Sequence, residues 1–178
     1  MTSTRETPHQ TVLDTERLTL RRLTEDDAPF ILRLVNEPSF LRYIGDKGVR
    51  TLGAARHYIR TGPIDSYERF GFGLLLVVRK EDGAPIGMCG LLKRDALEDV
   101  DIGFAYLPEF WLKGYAIEAA TAVMDYGRRT LRLDRIVAIT RADNAGSIRV
   151  LERLGLAFGR MVRLGPDEPE IRLYEPAG

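Results

Sequence analysis

Near residue 100 the sequence changes rhythm, and that change limits the fold more than any other feature. Residues 99–106 alternate apolar and polar side chains, as a half-buried strand does. A segment ending in Trp111-Leu112-Lys113-Gly114-Tyr115-Ala116 then leads into helical spacing, with positions 117, 120, 124, 127 and 131 on one apolar or small face. Glu118, Asp125, Arg128, Arg129 and Arg132 fall on the opposite side. Residues 135–140 follow as a nearly continuous apolar run, the pattern of a strand buried on both faces. Strand, helix and strand with short connections make a crossover unit, so residues 100–140 should contain one parallel strand pair.

The flanking sequence reads differently. Residues 1–13 are polar and aperiodic, which predicts a flexible leader ahead of a single domain over 14–178. Residues 17–21 alternate as a first strand, and a helix starting near Asp27 carries Phe30, Ile31, Leu34 and Val35 at helical spacing. Residues 36–39 end that helix, and residues 40–50 form a short helix or a flexible flap. Thr51 can cap a further helix to about Ile59, which Thr61-Gly62-Pro63 breaks or bends. Residues 72–78 and 85–92 are strands joined through Glu81-Asp82-Gly83, a hairpin signal. After the crossover, Asp143-Asn144 opens a helix with Ile148, Leu151 and Leu154 on one face and Gly155 as its stop. Strands near 157–164 and 169–174 close the chain around Gly165-Pro166. The sum is an α+β fold: a mostly antiparallel sheet of about six to seven strands, one parallel β-α-β pair and about four flanking helices.

Composition excludes several partners. The chain has 178 residues, with Lys+Arg and Asp+Glu both 26, so no overall field draws it to nucleic acid or to an anionic membrane. No apolar run reaches the length of a membrane span. A single cysteine, Cys89, fits a reducing cytoplasm and reads as strand packing. With two distant histidines and one cysteine, the usual soft ligands cannot assemble a metal site.

The loop at 111–116 has chemistry of its own. Gly114 permits backbone angles closed to other residues, and Ala116 allows close approach to the main chain. Lys113 adds a cation, and the helix that follows points its first free N–H groups over the loop. Such a start accommodates an anion, phosphate above all.

Three strings, Asp101-Ile102-Gly103-Phe104, the stretch from Pro108 to Ala120, and the stretch from Asn144 to Gly155, together resemble the GCN5-related N-acetyltransferases (GNAT). Within them the likeness is to the branch of ribosomal-protein alanine and serine acetyltransferases. Thr15-Glu16-Arg17-Leu18 and Glu25-Asp26-Asp27-Ala28 also match that branch, so the resemblance runs over about residues 15–175. It implies acetyl-coenzyme A as donor and a primary amine as acceptor, either a protein or peptide N-terminus or a small amine. The family also admits a homodimer.

The resemblance further implies residue roles. Backbone N–H groups of Leu112, Lys113, Gly114, Tyr115 and Ala116 would cradle the pyrophosphate. Trp111 stands where the family signature has Gln or Arg. Phe104 or Ala105 would supply a backbone N–H to the reacting carbonyl, the pantetheine arm would lie along the fourth strand, and Asn144 would hydrogen-bond it. Asp101 occupies the position where this branch commonly has a glutamate base, with Glu98 or Asp99 as water-mediated substitutes. Leu151 replaces the tyrosine that protonates the leaving thiolate in much of the family, while Ser147 matches the serine given that role in this branch.

Plainer readings stand beside these. Ser147 is a residue type at home in a first helical turn, and Asp101 could be an ordinary strand-face carboxylate. The string Gly114-Tyr115-Ala116-Ile117-Glu118-Ala119 also resembles a degenerate dinucleotide fingerprint, but that motif belongs directly after a strand in a largely parallel sheet. A non-catalytic acyl-coenzyme A sensor would carry the same binding motifs as an enzyme. Acceptor choice should reside in residues 36–50, the second helix and the 163–170 hairpin, whose Asp167, Glu168 and Glu170 could attract a cationic amine.

Overall fold

The computed structural model describes residues 9–178. Its eight strands are β1 (Thr11–Asp14), β2 (Leu18–Arg22), β3 (Leu74–Arg79), β4 (Pro85–Leu92), β5 (Val100–Tyr106), β6 (Ile136–Thr140), β7 (Leu156–Val162) and β8 (Ile171–Pro176). They form one sheet in the order β1-β2-β3-β4-β5-β6-β8-β7. Every pairing is antiparallel except β5 with β6, as the rhythm of residues 100–140 requires.

The strand count exceeds the expected six to seven because β1 forms where a leader was expected. Leu13 and Asp14 register against Leu20 and Thr19 of β2, so residues 11–13 are strand rather than leader. Two apolar residues, Val12 and Leu13, are too few to show alternation. Their partner strand supplies the order that their own sequence does not signal. The remainder of the expected leader, residues 1–8, lies outside the described residues.

Helices cover both faces of the sheet. After a 3-10 turn at Glu25–Asp27 come α1 (Ala28–Leu34) and α2 (Pro38–Tyr43). Buried Asp27 accepts the Thr24 N–H at 2.9 Å and both terminal nitrogens of Arg21 at 2.8 and 2.9 Å, tying this turn to β2. Thr51 caps α3 (Leu52–Ile59) by accepting the Ala54 N–H at 3.0 Å. The expected break at Pro63 is a π turn, Arg60–Ile64, that feeds directly into α4 (Asp65–Phe70). Proline lacks the N–H for an α-helical bond, and the wider turn absorbs its ring. Two further helices, α5 (Tyr115–Arg129) and α6 (Ala145–Arg153), flank β6 in sequence.

One core lies between the sheet and α5, and includes Leu20, Val77, Cys89, Ile102, Val123 and Met124. A second lies on the other face against α1 and α3, around Ile31, Leu34, Ile59, Leu76 and Met88. The buried face of α5 is Tyr115, Ala119, Ala120, Val123, Met124 and Gly127, turned from the expected stripe, and Ile117 is only half-buried. Small residues in this stripe let α5 sit close on β4, with Gly127 beside Leu91, and a β4 glycine is tight on its other neighbour, the start of β3. A Cβ on Gly90 would lie 2.2 Å from the Gly73 carbonyl oxygen and 2.7 Å from Leu74 Cα.

That contact is with backbone, which cannot rotate away. Gly90→Ala is expected to lower unfolding free energy by about 2 kcal/mol or more. Gly53→Ala, in exposed helix with only Thr51 Oγ1 near at 3.9 Å, should raise it by about 0.5 kcal/mol. Urea unfolding of the two variants would check both signs.

Candidate active site

Parallel pairing between β5 and β6 is brief. Val100 registers with Ile136 and Asp101 with Val137, and there it ends. From Ala138 onward β6 takes β8 as its partner, while β5 keeps β4 through Tyr106. The two strands therefore splay, and one edge of residues 102–106 has no strand against it. Phe104 and Ala105 lie on this stretch, half-buried. An unpaired strand edge offers N–H and C=O groups to an extended ligand, as in strand addition.

The β5 strand runs into a 3-10 turn, Pro108–Phe110, and then the loop. The Trp111 indole N–H donates to the Tyr106 carbonyl at 3.0 Å, anchoring the loop to the strand end. Leu112 and Gly114 both take left-handed backbone angles, φ 60° and 81°, and the Leu112 side chain is 97% exposed. A leucine held this way is strained, which is characteristic of a shaped loop rather than a relaxed one. Among the described residues, none of the backbone N–H groups from 112 to 117 has an acceptor. Six consecutive donors thus stand free at the positive end of a fifteen-residue helix, beside the exposed Lys113.

Asn144 and Ser147 come from the start of α6, immediately after β6. The Asn144 side-chain oxygen accepts the Ser147 N–H at 3.2 Å, closing the helix cap and leaving the amide nitrogen for another partner. The Ser147 side chain is half-buried. The loop that follows β5 and the helix start that follows β6 both sit at carboxyl ends of the parallel pair, where crossover sheets bind ligands.

Asp101 is the last β5 residue paired with β6 and is completely buried. Arg94 Nε donates to its Oδ1 at 2.9 Å, while Oδ2 is buried without a partner. Burial pushes the carboxyl above its usual range, and the Arg94 guanidinium opposes that shift. Arg94 was not evident from sequence, because the loop between β4 and β5 has no pattern to mark it. Two further groups feel its charge. Lys47 is exposed yet closely surrounded by protein atoms, and that crowding, together with Arg94, lowers its ammonium below the ordinary lysine range, while Glu168 opposes the shift. Burial raises the Tyr58 hydroxyl, again opposed by Arg94. Lys47, Tyr58 and Glu168 belong to the three segments expected to govern acceptor choice; the Arg94 charge acts on Lys47 and Tyr58, and the Glu168 charge on Lys47.

The readings of Cys89 and Glu118 are met and corrected in turn. Burial pushes the Cys89 thiol up to about 12, so it is protonated core packing. Glu118, read as part of the solvent side of α5, is instead partly buried beneath β2, where it accepts from the Thr15 hydroxyl at 2.6 Å and Arg17 Nε at 2.7 Å. Among the described residues no cluster of three or more His, Cys, Asp or Glu side chains could hold a metal, and no helix is long and apolar enough to cross a membrane.

Comparison with known proteins agrees with this geometry. The family model of the acetyltransferase (GNAT) domain matches residues 17–157. The chain is 32% identical over 146 residues to the uncharacterized N-acetyltransferase YoaA of Bacillus subtilis, covering 81% of each. It is 28% identical to a solved acetyltransferase from Agrobacterium tumefaciens, with 96% of this chain and 95% of that one aligned at TM-score 0.76. At 19% identity, the ribosomal alpha-N-protein acetyltransferase RimL, solved in complex with coenzyme A, shares the fold, covering 93% of this chain and 97% of that one at TM-score 0.79.

Glu118 also fixes a pH dependence. Burial alone would raise its carboxyl, but hydrogen bonds from Thr15 and Arg17 hold it below the usual range. A depressed folded pKa stabilises above the unfolded value, about 4.3, and that stability is lost as pH falls through the folded value. Glu118→Gln should therefore cost about 1 kcal/mol at pH 7 and visibly less at pH 3, as read from urea unfolding at each pH.

Proposed function

The chain belongs to the acetyltransferase (GNAT) family, and from that premise we propose that it acetylates a primary amine. It is an acyltransferase whose donor is acetyl-coenzyme A. The observation that carries the proposal is the splayed β5–β6 pair opening beside six free backbone donors at residues 112–117.

The residues fit the donor. Pyrophosphate charge is matched by the N–H groups of Leu112, Lys113, Gly114, Tyr115 and Ala116, reinforced by the helix dipole and the Lys113 ammonium. Gly114 at φ 81° lets that backbone curl where a side chain would be strained. The pantetheine amides can pair with the free edge of β5 at Phe104 and Ala105, and the unused Asn144 amide nitrogen faces the same task from the β6 side. In the transfer, the amine nitrogen bonds to the acetyl carbon, the carbon–sulfur bond breaks, and one proton leaves the nitrogen while one reaches the sulfur. Negative charge gathers on the carbonyl oxygen during this step, and a backbone N–H at Phe104 or Ala105 would hold it. The Ser147 hydroxyl is our choice for the sulfur proton.

Asp101 supports the amine side. Its burial behind Arg94 favours an indirect part, in which it holds Arg94 and takes up a proton through water rather than touching the amine. The acceptor itself would be a protein or peptide N-terminus or a small amine. The mutual electrostatic influence of Arg94, Lys47 and Glu168 supports selection by mixed charge, with Glu168 drawing the ammonium form and the two cations disfavouring a polycation.

Titration calorimetry with acetyl-coenzyme A, run beside a thiol-release assay over a panel of peptides and small amines, tests this. Binding with thiol release for one amine class is expected. Ser147→Ala should keep donor affinity within about twofold and lose roughly 10²-fold in kcat. Binding with no turnover on any amine would favour a sensor, and no binding at all would overturn the reading of residues 112–117.

A further inference from the structure

We propose that Arg17 positions the pyrophosphate loop, by neutralising Glu118 and by gripping the Lys113 carbonyl from behind. The inference rests on donor binding at residues 112–117 and adds a residue that no part of that motif contains.

Arg17 lies just before β2 and reaches the start of α5, which packs on the same core. Its Nε donates to Glu118 Oε1 at 2.7 Å, and its own backbone N–H donates to Glu118 Oε2 at 3.0 Å. Nη1 donates to the Lys113 carbonyl at 2.9 Å. The guanidinium carbon stands 4.4 Å from the centroid of the Tyr115 ring. A Cβ on Gly114 would come within 3.2 Å of Nη2. One planar side chain therefore touches Lys113, Tyr115 and Glu118, in the loop and the first helical turn, and lies over the open side of Gly114. Thr15 completes the clasp, with its hydroxyl 2.6 Å from Glu118 Oε2.

This arrangement resolves a conflict. Glu118 is the fourth residue of α5, so its carboxylate lies in the turn whose free donors would receive a pyrophosphate. Unopposed, that negative charge would repel an anion and could claim the same N–H groups for itself. Arg17 cancels the charge and holds the carboxylate sideways on β2. The second part of the clasp is geometric. Leu112 and Gly114 both sit at positive φ, and the bond to the carbonyl between them holds that strained shape in the absence of ligand. Trp111 leaves the signature position without a polar side chain, so fixing the backbone matters more in this chain.

The test is calorimetric titration with coenzyme A of the full chain, of Arg17→Ala, Arg17→Lys, and the double variant Arg17→Ala/Glu118→Gln, with thermal midpoints measured alongside. Arg17→Ala should bind about tenfold more weakly. The double variant loses further hydrogen bonds, so it should be no more stable, yet it should bind coenzyme A about threefold more tightly than Arg17→Ala because the uncompensated charge is gone, and short of wild-type affinity because the Lys113 carbonyl is still not held. Tighter binding without gained stability is an outcome a merely structural role would not produce. Arg17→Lys keeps the charge and loses the fork, and should fall between wild type and Arg17→Ala; it also carries the test if the alanine variants do not fold. Wild-type affinity in Arg17→Ala or Arg17→Lys, or a double variant no tighter than Arg17→Ala, would overturn the proposal while leaving donor binding intact. Failure of the wild type to bind coenzyme A would overturn both.

Discussion

The rest of the molecule depends on a strand pairing that stops after two residues. Val100 and Asp101 hold β6 in parallel register, and beyond them the strands part. Backbone donors and acceptors left without partners inside a fold are costly unless something satisfies them, so the gap between β5 and β6 is a standing demand for an extended polar ligand. The opening is kept from collapsing because each strand is committed elsewhere. β5 is paired with β4 from Asp101 to Tyr106, and β6 turns to β8 through Ala138, Ile139 and Thr140. The cores on the two faces of the sheet then fix the angle, with α5 resting on Ala119, Ala120 and Val123.

Electrostatics here is local. Equal numbers of acidic and basic residues give no net field, yet the free donors at residues 112–117 and Lys113 make the start of α5 positive, while Arg94 and Glu168 act in opposite senses on Lys47. The ion pairs with structural consequences join distant segments. Arg21 with Asp27 secures the first turn to β2, Arg17 with Glu118 secures β2 to α5, and Arg94 with Asp101 closes the bottom of the splay. Exposed pairs such as Arg50 with Asp46 contribute little by comparison.

How much of this could be read beforehand depends on the range of the signal. The crossover, the cap at Thr51, the glycine stops and the turn at Gly114 are local patterns, and each appears close to where the residues indicate it. The failures have the opposite cause. β1 is short enough that only its partner reveals it. Glu118 looks like a solvent-side helix residue until β2 is laid over it. The stripe of α5 turns because Tyr115 and Ala119 fit the sheet where Ile117 does not. Arg94 and Lys47 lie in segments without periodicity, so nothing in their neighbours marks them.

By itself the sequence determined the order and kind of the elements, the single parallel pair, and a glycine-shaped loop opening a helix, because backbone preference and side-chain period act over a few residues. Only the tertiary structure decided where β5 and β6 separate, which carboxylate is buried at that point, and that Arg17 closes on Glu118 across 101 residues of chain. Those are matters of register and packing between segments far apart in sequence, and the energy that selects them does not exist until the sheet has formed.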